Sequence, residues 1–418
     1  TLVKANKVVT AAHCVSGRSA SSTSRAAAGL LGLPESRTRR LLDALEEASL
    51  LDHDGRGRWR MHDLVRACAT TTDILTHQAR EAALRRVLDF YVHTAYCADQ
   101  LLEPQHHPLR HDPPAPDVHP LALADIPAAL AWFDAEHLCL LAAQRTAITH
   151  QWHSVVWHLA WSTDTFRYRR GHHGNRLTAW QAALDAATHL SDPATRIVGH
   201  QQLAHAQAQR GRYQDALEHL RTALALAVRD NALPHQAGIH RVLAQTWQQQ
   251  GDDRQSLEHA RCALEIYRDL DLPVREADML AAVGWFTARL GDYDTARGHL
   301  RAALALNRRH HHPTTEANTL DSLGWIAHRS GHHTEAIRHY REALALFRVL
   351  GDTAHTADTL DNLGHPHLAL GRHARARAVW CQAFELYRQQ GRDTDAKRVR
   401  AQLDGLGDPS TEQTGQLV

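Results

Sequence analysis

The chain has 418 residues, 43% of them hydrophobic, and a formal net charge of +1, which suits about two to four folded domains and gives no global basic field for nucleic acid. The sequence has a mean hydropathy of −0.44 and contains no long apolar run, no secretory signal and no Cys-x-x-Cys pair. These features predict a cytoplasmic chain that spans no membrane and holds neither a zinc site nor a disulfide framework.

The N-terminal segment differs from the rest of the chain. Two of the three lysines lie in its first seven residues, and it begins at Thr1, which suggests a fragment or a junction between two sources. The run Val9–Cys14, Val-Thr-Ala-Ala-His-Cys, resembles the active-site histidine segment of trypsin-like serine proteases. The resemblance implies His13 as a general base. No Gly-Asp-Ser-Gly segment supplies a nucleophile, so we interpret residues 1–20 as a remnant without catalytic activity, and not as a domain.

Residues 21–75 are predicted to form a winged helix, that is, two helices, a β-hairpin and a third helix. Ser24 is expected to cap a short helix, and a second helix with an apolar face runs to about Ala48. Asp54-Gly55 then lies between two short apolar runs, which is a hairpin signal. A helix from about Asp63 closes the module.

The hairpin is followed by a specific motif, Met61-His62-Asp63. It resembles the Met-His-Asp motif that closes the nucleotide-binding module of STAND-class regulators, in particular actinobacterial ones of the antibiotic-regulatory-protein (SARP) type with an NB-ARC module. The resemblance implies that His62 contacts bound ADP in the full-length family context; alternatively, Asp63 caps a helix and His62 lies at a surface corner. No glycine-lysine pair occurs, so there is no Walker A motif, and neither ATP hydrolysis nor a bound cofactor is expected.

Residues 76–165 are predicted to be a helical linker with a proline-rich loop. Half of the fourteen prolines fall between Pro104 and Pro127, which indicates an extended connector. Asp125 is expected to cap the next helix. The segment Ala131–Glu136 resembles the linker of the same regulators.

An internal repeat fills most of the remaining chain, because five glycines recur at intervals of forty residues: Gly211, Gly251, Gly291, Gly331 and Gly371. A small residue follows each glycine by five positions and an alanine by twelve. The small position within the first helix is filled by Gly284, Gly324 and Gly364. A fixed period of this size predicts a solenoid of paired helices. The pattern resembles the tetratricopeptide repeat, although its period of forty instead of thirty-four predicts longer helices or longer loops.

The array is expected to span residues 166–405. A degenerate unit precedes the five repeats, with Gly171 in register, and a final helix near Asp393–Leu406 is expected to cap the stack. Residues 406–418 are predicted to be a disordered tail. The predicted fold class is therefore all-α: a right-handed tetratricopeptide superhelix with an N-terminal winged helix that adds one small β-hairpin.

The preferred candidate site is the concave face that the first helices of the repeats are expected to line. Four rows of side chains recur there, namely Asp278, Asn318 and Asp358; Asp321 and Asp361; Trp285, Trp325 and His365; and Arg289 and Arg329. Aromatic and arginine side chains beside carboxylates can clamp an extended protein or peptide segment. The alternative is that the tryptophans pack between repeats.

Two other candidate sites are weaker. The 34 histidines cluster mainly in predicted loops without companion cysteines, so no metal site is expected. Arg37, Arg39 and Arg40 could touch DNA phosphates, but residues 25–70 carry a net charge of only about +1, so direct nucleic-acid binding is not expected.

Together these features predict the non-enzymatic sensor and protein-interaction region of a bacterial STAND-type transcriptional regulator, with a partner bound in the groove of the repeats. A stand-alone tetratricopeptide scaffold is one alternative. A fragment of a trypsin-like serine endopeptidase fusion is the other.

Overall fold

A computed structural model describes residues 22–54, 58–61, 76–104 and 113–406. His13, His62, the helix expected at Asp63 and the tail after Leu406 lie outside the described residues. The chain divides into two compact units. The first comprises Thr1–Phe166 and Ala179–Ser191, and the second comprises Arg167–Thr178 and Asp192–Val418.

The first unit begins with a small mixed module. Its elements are β1 (Ser22–Thr23), α1 (Ser24–Leu31), α2 (Glu35–Glu47), β2 (Leu51–His53) and β3 (Arg58–Met61). Leu51 pairs with Met61 and His53 with Trp59, so the predicted hairpin is confirmed. The antiparallel sheet has the order β1-β3-β2 and thus one strand more than expected, because a strand of two residues leaves no periodic signal in the sequence.

The start of α1 differs by one residue from the prediction. Thr23, not Ser24, caps this helix by accepting a hydrogen bond from the Ala26 amide at 3.4 Å. Ser24 is the first helical residue instead, and its hydroxyl donates to Glu35 at 2.8 Å. The two helices are thereby joined at their N-terminal ends.

Helices complete the first unit: α3 (His77–Leu102), α4 (Ile126–Thr149), α5 (His153–Ser162), the first half of α6 (Asp164–Arg169) and most of α7 (His173–Ala187). Asp125 caps α4 as expected, accepting from the Ala128 amide at 2.8 Å. In the described part of the chain, α4 is long and apolar enough to cross a membrane by length and composition alone. Half of its apolar window is buried inside the protein, with Phe133 in the core, as is typical of a core helix.

A buried ion pair joins the hairpin to α4. Arg58 Nη1 donates to Glu136 Oε1 at 2.6 Å, and Glu136 is only 1% exposed. The Tyr91 hydroxyl donates to the other carboxylate oxygen at 3.0 Å. Because both oxygens have donors, the carboxylate is stabilised as an anion in the core of the first unit.

The second unit is a stack of helix pairs. The pairs are α8 (Pro193–Ala208) with α9 (Tyr213–Arg229), α10 (Leu233–Gln250) with α11 (Asp253–Asp269), α12 (Pro273–Arg289) with α13 (Tyr293–Arg309), α14 (Pro313–Arg329) with α15 (His333–Val349), and α16 (Thr353–Ala369) with α17 (His373–Gln389). The final helix, α18 (Asp393–Gly405), covers the last pair, and Val399 is buried in that contact, so the predicted capping helix is confirmed.

The forty-residue period is explained by long helices and not by long loops. Eight of the ten helices have 17 residues, and short turns join them. The turn within each pair has its glycine in the left-handed region. The turns between pairs also contain a residue of positive φ, which the repeated glycines alone did not reveal: Asn231, Asp271, His311, Gly351 and Gly391. Each period is thus two similar halves, each ended by a left-handed residue.

Glycines at the small position of the first helix allow close helix contact. A Cβ atom would lie 2.9 Å from Leu300 at Gly284 and 2.8 Å from the Tyr340 ring at Gly324. Such distances are far below normal van der Waals contact, so these positions require glycine for packing, as the repeat pattern predicted.

Candidate functional site

The first helices of repeats two to five line a cavity of about 220 Å³ in the second unit. Five of the residues expected on the concave face form part of its wall: Asp278, Trp285, Asn318, Asp321 and Asp358. Side chains from the first helices of three successive repeats therefore meet at one site, although their positions span eighty residues of sequence. Met279 and Phe286 add apolar surface to the wall.

The first predicted row is divided by what its members contact. Asp278 and Asn318 are half-buried in the cavity wall. The Asp358 carboxylate accepts a hydrogen bond from the Tyr387 hydroxyl and one from Arg392, both at 2.8 Å. Asp358 therefore ties α16 to the following elements, whereas Asp278 and Asn318 face the cavity.

Asp321 has the most perturbed carboxyl group in the cavity. Burial raises its pKa to about 6, although hydrogen bonds from Thr359 and Asn362 and the charge of His355 act in the opposite direction. Among the described residues, no donor reaches its buried Oδ1 atom. A cation entering the cavity would therefore find a carboxylate whose charge is poorly compensated by the protein.

The two tryptophans pack on each other, and Trp285 also lines the cavity. The rings of Trp285 and Trp325 meet edge to face with centroids 4.8 Å apart, and both are half-buried. Arg289 lies over the Trp285 ring at 5.9 Å and pairs with Asp253 at 2.6 Å. Arg329 lies over Trp325 at 5.6 Å. The tryptophans therefore pack between repeats with part of their surface, as in the alternative interpretation.

The last two predicted residues lie away from the cavity wall. Asp361 is 3% exposed, and its carboxylate pairs with Arg398 of the capping helix. His365 packs against the Trp380 ring with centroids 5.5 Å apart. Both side chains contribute to packing at the C-terminal end of the array.

An ion pair that the sequence analysis missed lies at the edge of the cavity. His355 lines the wall, and its Nδ1 lies 2.8 Å from the carboxylate of Asp352. Burial alone lowers the pKa of His355, but the Asp352 carboxylate more than offsets this and holds the pKa well above its ordinary value. The ion pair therefore favours the charged form of His355. The sequence signal for this pair is the i,i+3 spacing of Asp352 and His355 at the start of α16, which places both side chains on one side of the helix.

Histidines form pairs along the array. His200 and His219 are 2.9 Å apart between their Nδ1 atoms, and His240 and His259 are 3.1 Å apart. Each pair joins the two helices of one repeat. Within the described ranges, no three His, Cys, Asp or Glu side chains are grouped as metal ligands.

The fold is that of a tetratricopeptide superhelix whose first helices line a cavity. Residues 276–348 and 333–389 match one profile described as tetratricopeptide repeat, and residues 200–233 match another. The chain is 32% identical over 224 residues to the regulatory protein AfsR of Streptomyces griseus, and 36% identical over 213 residues to that of Streptomyces coelicolor. These matches cover 51% and 48% of this chain but only 23% and 21% of the two relatives.

Among solved structures, the chain is similar to the Rap conjugation gene regulator of plasmid pLS20 in complex with the Phr* peptide, with a TM-score of 0.53 and 12% sequence identity. The match covers 80% of this chain and 84% of that chain. At this identity the likeness shows the fold alone.

Proposed function

We propose that this chain is the sensor region of a bacterial transcriptional regulator of the STAND type, and that it binds an extended protein segment on the concave face of its repeats. The cavity carries this proposal, because Asp278, Asn318 and Trp285 recur at fixed offsets and converge on one wall. A ligand along the groove would meet comparable chemistry once per repeat.

The similarity to AfsR supports the regulatory part of the proposal, and the peptide bound by the Rap regulator supports a peptide-like ligand. The winged helix and the contact of His62 with ADP are parts of the same proposal. They rest on the helix-helix-hairpin order and on the Met-His-Asp motif. We propose a cytoplasmic location, as for a regulator that acts on transcription.

Affinity capture tests the groove. The chain is immobilised, proteins from extracts of the producing organism are captured, and they are quantified by mass spectrometry. The double variant Asp278→Ala/Asn318→Ala should lose the specific partner, because it removes polar side chains from the cavity wall without opening the core. Trp285→Ala with Trp325→Ala should lose about 2 kcal/mol or more of binding, roughly thirtyfold in affinity.

Arg297→Ala is the matched control, since Arg297 lies on a second helix and pairs only locally with Asp294 at 3.2 Å. Circular dichroism checks that each variant keeps its helices. Parental capture by both double variants would exclude the groove as the binding site.

A scaffold without a switch is the second candidate function, because a superhelix with a groove is sufficient for it. The coding sequence upstream of Thr1 distinguishes the two. A Walker A motif followed by a nucleotide-binding module would support the switch, and its absence from the whole gene would support the scaffold.

A further inference from the structure

A short segment ahead of the first repeat contacts the turn between α15 and α16. We call this segment, Tyr168–Gly171, the strap. The Nη1 atom of Arg169 donates to the carbonyl of Leu350, and that of Arg170 donates to the carbonyl of Gly351, each at 3.2 Å. The donors and acceptors are 181 residues apart in sequence, so this is a true tertiary contact.

The carbonyls that the strap contacts suit a guanidinium group. They follow the C-terminal end of α15, where backbone carbonyls lack helical partners and the helix dipole is negative. Thr353 donates its hydroxyl back to the Arg169 carbonyl at 3.1 Å, so the loop holds both the backbone and the side chain. Arg169 is 2% exposed, and a buried cation needs such partners to be stable.

The strap also bridges repeats that are far apart. The Tyr168 ring lies 5.7 Å from His205 on α8 and 5.8 Å from His355 on α16, centroid to centroid. A Cβ atom on Gly171 would lie 3.0 Å from Cγ of Gln390. The strap therefore contacts both the first repeat and the fifth.

The Tyr168 end of the strap lies next to the cavity. His355 contacts Tyr168 and also lines the cavity that contains Asp278 and Asp321. An extended peptide that fills the cavity and continues toward α16 would meet the tyrosine. The two carboxylates favour a cationic side chain in that peptide, and the loop beyond them already binds two arginines.

We propose that the strap is an internal ligand of the superhelix, and that the partner is an arginine-bearing extended peptide that competes with the strap for the turn Leu350–Thr353 between α15 and α16. This inference rests on the proposed function, because it names the chemistry of the ligand in the same groove. The competition follows because backbone carbonyls accept equally from an arginine of the same chain or of another one.

A labelled peptide tests the competition. The probe has the sequence of Asp164–His173, and its dissociation constant is measured by fluorescence anisotropy with the whole chain. In the unchanged chain the strap competes at an effective concentration in the millimolar range, which weakens the probe strongly. The double variant Arg169→Gln/Arg170→Gln should therefore bind the probe at least tenfold more tightly than the unchanged chain.

Two matched reagents complete the design. Arg212→Gln removes an exposed arginine that pairs only with Asp215, and it should bind the probe as the unchanged chain does. A probe with glutamine at the positions of Arg169 and Arg170 should bind the double variant at least tenfold more weakly than the arginine probe does. If the double variant loses helical signal, Tyr168→Ala takes its place, because it weakens the strap without removing a charge. It should also tighten binding of the arginine probe, by about threefold or more.

Equal affinity of the probe for the unchanged chain and for the strap variants would overturn the inference, as would equal binding of the glutamine probe. These results are independent of partner capture. If capture depends on the cavity but the strap variants change nothing, the proposed function stands and the internal ligand does not.

Discussion

Trp380 lies directly against the backbone of Gly364. A Cβ atom on Gly364 would overlap the indole Nε1, which itself donates to the carbonyl of Asp361 at 2.9 Å. The glycine of the fifth repeat thus makes room for the largest side chain at this position and for its hydrogen bond. A glycine recurs at this position in three repeats, and the side chain that packs against it changes from Leu300 to Tyr340 to Trp380 along the array.

Gly364→Ala should lower the melting temperature clearly, because the indole must move and loses its buried acceptor. Overpacking of this kind costs about 1–3 kcal/mol, and more where backbone must shift. Gly298→Ala is the control: no atom lies within 4 Å of its Cβ position, and alanine favours a helix, so stability should rise slightly. Thermal unfolding by circular dichroism compares them, and equal melting of both variants would contradict the contact.

Ala303→Asp should destabilise the middle of the array. Ala303 is fully buried, and an unpaired carboxylate there costs several kcal/mol. Because each repeat is stabilised by its neighbours, the loss of helical signal at moderate temperature should exceed that of one repeat. Ala302→Asp, at an exposed neighbouring position, should melt like the parent protein. Similar melting of both variants would show that the assigned register is wrong.

The histidine pairs should make the second unit less stable in mild acid. Burial and the neighbouring His219 lower the pKa of His200 to about 4, and burial and His259 do the same for His240. Unfolding restores the ordinary value near 6.5, so the unfolded chain binds more protons between these pH values. The free energy of unfolding should therefore fall as the pH drops from 6.5 toward 4.

Melting temperatures at pH 7 and pH 5 test this prediction. His200→Gln/His240→Gln keeps a donor at each position and should show a smaller decrease than the parent. His310→Gln, at an exposed loop position, should leave the decrease unchanged. The Asp352–His355 pair has the opposite pH dependence. Its contribution to the free energy of unfolding is lost as the pH rises, because the pKa of His355 is raised in the folded protein.

Glu136→Ala should destabilise the first unit strongly. It leaves the half-buried Arg58 without its carboxylate and the Tyr91 hydroxyl without its acceptor. Removing one partner of a buried pair typically costs about 3–5 kcal/mol. Urea unfolding measures the loss, with the exposed Asp134→Ala as the comparison. An unchanged unfolding midpoint would show that the pair contributes nothing.

The purified chain should be catalytically silent. It should neither hydrolyse an arginine ester nor release phosphate from ATP, because the sequence has no Gly-Asp-Ser-Gly segment and no glycine-lysine pair. Both rates should match a buffer control. Ester hydrolysis that His13→Ala abolishes would instead support the protease alternative.

The repeat period by itself determined the helix pairs, the capping helix and the need for small residues at Gly284, Gly324 and Gly364. These features depend on local spacing and are repeated several times, so a single sequence already carries a strong signal for them. The sequence also placed Asp278, Asn318 and Trp285 on one face, because equal offsets in equal repeats give equal positions.

Only the tertiary structure decided which members of these rows face the cavity. Asp358 and Asp361 occupy predicted positions, but Arg392 and Arg398 from the end of the array engage their carboxylates. The strap was likewise invisible to the repeat pattern, since Arg169 meets Leu350 across 181 residues. Such contacts depend on how far the stack curves, which is a sum of small rotations between helices that no local spacing specifies.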